Sequence, residues 1–261
     1  MHGHLAATSI GGGVREALAE PGGRVSGVFS FGFYVRAGSS VFAVGGPALP
    51  PGPVHLVVER TPPLPPEGAP VLVEAGRMQV AGCDLLLAGA TPYQPAIPSA
   101  PQLARIAPVL VQSLSERRPP DDLASAWPAV RAAVFDADLH RALLLLQGRG
   151  GGLTPTGDDV LASLLLFAHW ADPTSPIPAE LAARAETTDL SRAFLRWSAI
   201  GQSIAPVHDL LDSALHLGPD GSGATAHAQA LAALAAIGGS SGKAMLIGLG
   251  LAASAWLTRT F

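Results

Sequence analysis

One cysteine, Cys83, stands alone in 261 residues, so no disulfide can form within the chain. It lies in an apolar stretch and reads as core rather than nucleophile. Charged residues make up only 14% of the chain and the formal net charge is −4. That leaves no broad basic surface, and nucleic acid is excluded as a partner. Lysine is nearly missing: Lys243 is the single lysine among 16 basic residues. In a chain that otherwise uses arginine, it marks a candidate site for a compact ammonium or stands there by chance. Long apolar runs are missing too. The most apolar segment, 244–257, is too short for a membrane span and is broken by Gly and Ser, which predicts a buried helix and no membrane partner. The start, Met1-His2-Gly3-His4, lacks a basic segment followed by an apolar run, so no signal peptide is read and a cytoplasmic protein is expected.

What is present is 48% apolar residues, which argues against disorder and allows a sizeable core. Residues 5–20 suggest a helix interrupted at Gly11-Gly12-Gly13. From Gly22 to Leu87 the composition turns β-branched and aromatic, punctuated by Gly and Pro. Segments 24–30, 31–36, 40–44, 54–59, 71–74 and 78–87 read as short strands, with turns at 37–40 and 75–77. Thr91 to Pro101 carries Pro92, Pro95, Pro98 and Pro101, and beyond it the period becomes helical. Helices are expected over 103–117, over 121–147 with a break or kink at Trp127-Pro128, and up to Trp170. Further helices are expected over 177–185, 190–201 capped by Thr187-Thr188-Asp189, 206–216, 224–237 and 243–257. The expected fold is therefore α+β: a small antiparallel β domain, sheet or barrel, over 1–97, then a mostly helical domain over 98–261.

Between two apolar helical runs lies Gly148-Arg149-Gly150-Gly151-Gly152-Leu153-Thr154-Pro155-Thr156-Gly157-Asp158-Asp159. Glycines let the backbone approach a ligand closely, and a helix N-terminus offers free N–H groups to an anion. Arg149 adds a guanidinium fork. Asp158 and Asp159 have the wrong sign for a bare anion site, and suggest a proton acceptor, a cap or a bound cation. Capping alone explains part of the loop, with Thr156 and Asp159 as a capping box or Thr154 as cap before Pro155. It does not explain three successive glycines. A second loop, Gly238-Gly239-Ser240-Ser241-Gly242-Lys243, also opens a helix. It is not a phosphate-binding P-loop: Ile237 stands where that motif needs glycine, and Ala244 where it needs Ser or Thr. The two loops are expected to face one another across a shared ligand, or else to be two tight helix–helix turns. His208, Asp212 and His216, at i, i+4 and i+8, read as the solvated face of a helix rather than as metal ligands. Asp121-Asp122 reads as a helix cap.

Gly150 to Asp159 resembles the Gly-Leu-Thr-Pro-x-Gly-Asp-Asp signature of a bacterial family long filed as a domain of unknown function. That family includes the small subunit of oxamate carbamoyltransferase, from allantoin degradation. Thr187-Thr-Asp-Leu-Ser191, followed by Leu195 and Gly201, resembles the family's Thr-rich, Ser-containing helix. Gly239-Ser-Ser-Gly242 resembles its Gly-Thr-Ser-Gly element, and Gly27-Val-Phe and Gly52-Pro53-Val match its strand region loosely. The resemblance implies a subunit acting on a small anionic carbamoyl- or ureido-type substrate beside larger partner subunits, in an enzyme that converts oxalurate and phosphate to oxamate and carbamoyl phosphate. Arg149, Gly150, Gly151, Gly152, Thr154, Thr156, Gly157, Ser240, Ser241, Gly242 and Lys243 would then hold the anion. Asp158 and Asp159 would move a proton or, if a metal such as Mg2+ is used, hold it. Lys243 departs from the family pattern, which carries an apolar or aromatic residue there. Two alternatives therefore stay open: a stand-alone enzyme on another small anion or amide, alone or as a homo-oligomer, and a non-catalytic scaffold.

Overall fold

Leu5, Ala7 and Ile10 are buried while His4, Ala6 and Thr8 are exposed, an alternation that belongs to a strand. The computed structural model describes residues 3–20, 22–74, 76–114 and 117–260, and it makes Gly3–Ile10 strand β1. The helix expected over 5–20 is corrected to this strand followed by one short helix, α1 (Gly12–Ala17). Sheet pairing on both sides of β1 overrides the helical propensity of its alanines.

Eight further strands follow among the described residues: β2 (Gly22–Phe29), β3 (Gly32–Ala37), β4 (Ser40–Gly45), β5 (His55–Val58), β6 (Pro70–Glu74), β7 (Arg77–Val80), β8 (Cys83–Leu86) and β9 (Thr91–Pro92). Their order is β5-β4-β3-β2-β6-β7-β8-β1, and β1 also pairs with β5, which closes an eight-stranded barrel. β9 adds to β1 beyond the end of β8. Closure removes the open edges that would template aggregation. The barrel is not purely antiparallel as expected. β1 runs parallel to β8 and β9, and β5 parallel to β4. These pairs are joined by long connections, so no tight hairpin dictates their direction. The stretch 78–87, read as one strand, folds back at Ala81 (φ 46°) and Gly82 (φ 75°). Two successive positive φ values are what a two-residue hairpin turn between right-twisted strands requires. Ala75, in the expected turn at 75–77, lies outside the described residues. Cys83 is buried, as expected of a core thiol.

The chain divides into two compact units, Met1–Pro95 and Ala96–Phe261. The second is helical: α2 (Ala100–Leu114), a 3-10 turn at Asp121–Leu123, α3 (Trp127–Phe135), α4 (Leu139–Leu146), α5 (Thr156–Ala171), α6 (Ile177–Arg184), α7 (Asp189–Ser198), α8 (Ala205–Leu215), α9 (Ala224–Ala235) and α10 (Ser241–Thr260). Residues 115 and 116 of the helix expected over 103–117 lie outside the described residues. The expected interruption at Trp127-Pro128 is a break and not a kink: Pro128 sits in the first turn of α3, where its missing N–H has no partner to lose.

α5 is the central element. Val160, Leu161, Leu164, Leu165, Leu166, Phe167 and Trp170 are all buried, so the helix is apolar around its whole circumference. Its closest partner is α10, and Gly248 makes the approach possible. A Cβ there would stand 2.7 Å from both the Ser163 Cβ and the Val160 carbonyl oxygen. The Ser163 hydroxyl donates to the Met245 carbonyl at 3.0 Å and ties the crossing. Among the described residues, no helix is long and apolar enough to cross a membrane.

Candidate functional site

The first Gly-rich loop leaves α4 at Gly148 (φ 66°) and reaches α5 through Gly150 (φ 108°) and Gly152 (φ 88°). L side chains rarely adopt these angles. Gly150 is also closely approached: a Cβ would stand 2.6 Å from Asp122 Oδ2 and 2.7 Å from the Thr156 nitrogen. Gly157 lies in the first turn of α5, where a Cβ would run into the Leu146 carbonyl at the end of α4. Gly242 has the same relation to the Leu234 carbonyl at the end of α9. These two glycines let each helix start tightly against its predecessor. Around Gly151, Gly152 and Gly239, by contrast, a Cβ would meet nothing within 4 Å. The open backbone of the loops lies there, with exposed Arg149, Ser240 and Lys243 beside it.

The two loops do come together. The Thr154 and Ser241 hydroxyls are hydrogen-bonded at 3.2 Å, and Ser241 also bonds the Asp159 carboxyl. The N-termini of α5 and α10 are thereby joined. A third helix start joins them: Thr188 caps α7 by accepting from the Ser191 N–H at 3.0 Å, as the sequence led us to expect. Its hydroxyl also donates to the Leu153 carbonyl at 2.6 Å. Three helix N-termini, each a partial positive charge, thus meet around residues 153–156.

The capping expectations for α5 are corrected. Pro155 is the N-cap and no side chain caps there. Thr154 is engaged with Ser241 instead, and Thr156 is buried. Asp121 and Asp122 do not cap by side chain either, since Pro120 holds the N-cap position. Asp122 instead brings its carboxylate against Gly150.

The two neighbouring acids have different surroundings. Asp158 is 2% exposed. Its Oδ1 accepts from the Gly148 N–H at 2.8 Å, and its Oδ2 accepts from the Thr187 hydroxyl. Asp159 has a buried Oδ2 with no hydrogen-bond partner. Burial pushes its carboxyl up to about 7; the hydrogen bond with Ser241 opposes the rise and the Asp158 charge adds to it. A carboxylic acid near neutrality can give or take a proton at physiological pH. The pair does not fit a two-carboxylate cation site, because both Asp158 oxygens are already engaged. Among the described residues, no group of three or more His, Cys, Asp or Glu could hold a metal.

His208 is not on a solvated face. Its Nε2 accepts from the Ser203 N–H at 3.0 Å, its Nδ1 faces the Ala96 carbonyl at 3.3 Å, and its ring meets Trp170 edge-on. Burial lowers its pKa to about 4, so it is a neutral packing group. His216 and Asp212 are exposed neighbours, 3.5 Å apart. Asp122, Thr187, Thr188 and Ser191 were not among the residues expected to form the site. Thr187-Thr188-Asp189 carried a capping signal and Thr187 to Ser191 a family resemblance, but nothing in the sequence tied either threonine to a loop more than 30 positions earlier.

The geometry defines a polar site at converging helix N-termini, with one buried, protonatable acid and open glycine backbone. The family model described as oxamate carbamoyltransferase subunit AllH matches residues 146–253, in agreement with the resemblance carried by Gly150–Asp159. That span runs from the end of α4 into α10 and contains both loops; the barrel lies outside it. No curated protein and no solved structure matches the chain.

Proposed function

We propose that the chain is a subunit of a carbamoyl-transferring enzyme and binds a small anionic carbamoyl- or ureido-type ligand where α5, α7 and α10 begin. The observation that carries this reading is the unpartnered Oδ2 of Asp159, buried where two glycine-rich helix starts are tied together. An unsatisfied buried oxygen among helix N-termini wants a ligand that supplies an N–H at that point and negative charge around it. The family description supports the reaction class and the subunit character, and with it larger partner chains.

In such a reaction a phosphate oxygen attacks the ureido carbonyl carbon, the C–N bond breaks, and the departing nitrogen needs a proton. Asp159 is assigned to supply that proton, and to take it back in the reverse direction. Open loop backbone at Gly151 and Gly152, with Arg149, Ser240 and Lys243, is assigned to the anionic part of the ligand. Asp158 is assigned to hold the loop.

Thermal unfolding of the full chain with phosphate, carbamoyl phosphate, oxalurate and oxamate, each with and without Mg2+, tests this. A ligand at about 100 times its dissociation constant adds roughly 2.7 kcal/mol to stability. A rise in melting temperature that Asp159→Asn abolishes supports the site. A flat response to all four ligands defeats it and favours a scaffold.

A further inference from the structure

Among the described residues, two buried side-chain polar atoms lack a hydrogen-bond partner: Asp159 Oδ2 and Ser191 Oγ. Both lie in the first turn of their helices, α5 and α7. Those helices pack together and are tied at their N-terminal ends by Thr187 to Asp158 and Thr188 to Leu153. These two orphaned atoms of the described residues therefore fall at one end of one helix pair.

A helical serine normally settles its hydroxyl on a carbonyl three or four residues back. Ser163, Ser213 and Ser254 do this here, onto Asp159, Leu210 and Gly250. Ser191 does not, although it is 2% exposed. Its own N–H is already satisfied by Thr188, so the hydroxyl has no part in the cap. Burying a hydroxyl without a partner is unfavourable, and an apolar residue would pack there without that cost.

Resting on the ligand site proposed above, we infer that Ser191 is a ligand-contacting residue that, with Asp159, selects for a primary amide. A planar –C(O)NH2 group carries one acceptor and two donors. Its carbonyl takes the Ser191 O–H and its N–H meets Asp159 Oδ2, so one group satisfies both orphans. A carboxylate in the same place accepts from Ser191 but offers no N–H to Asp159, and repels it when ionised. The site thereby distinguishes an amide from a carboxylate of the same shape.

Oxamate and oxalate differ in this one group and serve as probes. Calorimetric titration of the full chain near pH 6.5 compares them for wild type, Ser191→Ala, Ser191→Thr and Asp159→Asn. Wild type is expected to prefer oxamate. Loss of one buried hydrogen bond should weaken oxamate binding by about tenfold in Ser191→Ala, with a smaller change for oxalate. Ser191→Thr, which keeps the hydroxyl, should retain the preference. The readout is the oxamate-to-oxalate ratio, which a partly unfolded variant does not distort. A wild-type ratio that Ser191→Ala leaves unchanged, or that falls equally in Ser191→Thr and Ser191→Ala, overturns the role of Ser191 while leaving the ligand site standing. Wild type that binds neither probe overturns the site and this role together.

Discussion

Asp158 and Asp159 are consecutive residues of α5, yet the first has both carboxylate oxygens bonded inside the protein and the second leaves one buried and unpartnered. A helix turns about 100° per residue, which sends the two side chains to different neighbours. Asp158 meets the loop's first glycine and the threonine before α7. Asp159 meets the start of α10. Asp158→Ala strands the Gly148 N–H and the Thr187 hydroxyl, and should destabilise the protein by roughly 3 kcal/mol. A shift of the urea midpoint would show it. An unchanged midpoint would mean that the loop is held by something else.

Asp159 gives a pH-dependent prediction of opposite character. Its folded value of about 7 lies above its ordinary 3.8, so the fold favours the protonated form. The stability tied to that proton is fully present below about pH 4 and is lost as pH rises through 7. Asp159→Asn carries no charge at any pH. Relative to wild type it should gain stability between pH 4 and 8, by at most roughly 4 kcal/mol. Melting curves of both proteins at pH 5 and pH 8 test this. A constant difference would show that Asp159 does not titrate in this range.

The glycines should divide into two groups on substitution. Gly157→Ala drives a methyl into the Leu146 carbonyl between two packed helices, and a loss of several kcal/mol or failure to fold is expected. Gly151 has ordinary φ and open space around its Cα. Gly151→Ala should change stability by no more than about 0.5 kcal/mol. If it also weakens ligand binding, the loop backbone itself is in contact with the ligand.

Arg149 and Lys243 are both exposed at the loops. Arg149→Ala and Lys243→Ala should leave the melting temperature of the free protein within a degree or two, as surface changes do. Each should weaken phosphate binding, and the salt dependence of that binding should become shallower. Binding that is indifferent to both substitutions would remove the two cations from the site.

Much of this architecture could be read from the residues in order. The period of Leu143–Leu146 and Val160–Ala168, with glycines between, is enough to place a helix–loop–helix, because local periodicity needs no tertiary partner. The change from Gly- and Pro-punctuated β-branched stretches to helical period after residue 100 is local in the same way, and α+β follows from it. β1 escaped that reading. Its alanines favour a helix in isolation, and only pairing with β8 and β5, more than 40 positions away, makes it a strand. Barrel closure and the parallel pairs depend on the same distant contacts.

The candidate site divides along the same line. Residue types at 148–159 and 238–243 are sufficient to mark two glycine-rich helix starts with an acid pair, since those features are properties of adjacent residues. Which glycines pack against a carbonyl and which stay open could not be read there, because Gly157 and Gly151 differ only in what the fold places beside them. Nor could the sequence separate Asp158 from Asp159, or show that the Ser191 hydroxyl is buried without a partner. A carboxylate's role here is set by which helix start lies against it, and the packing of α7 and α10 on α5 decides that.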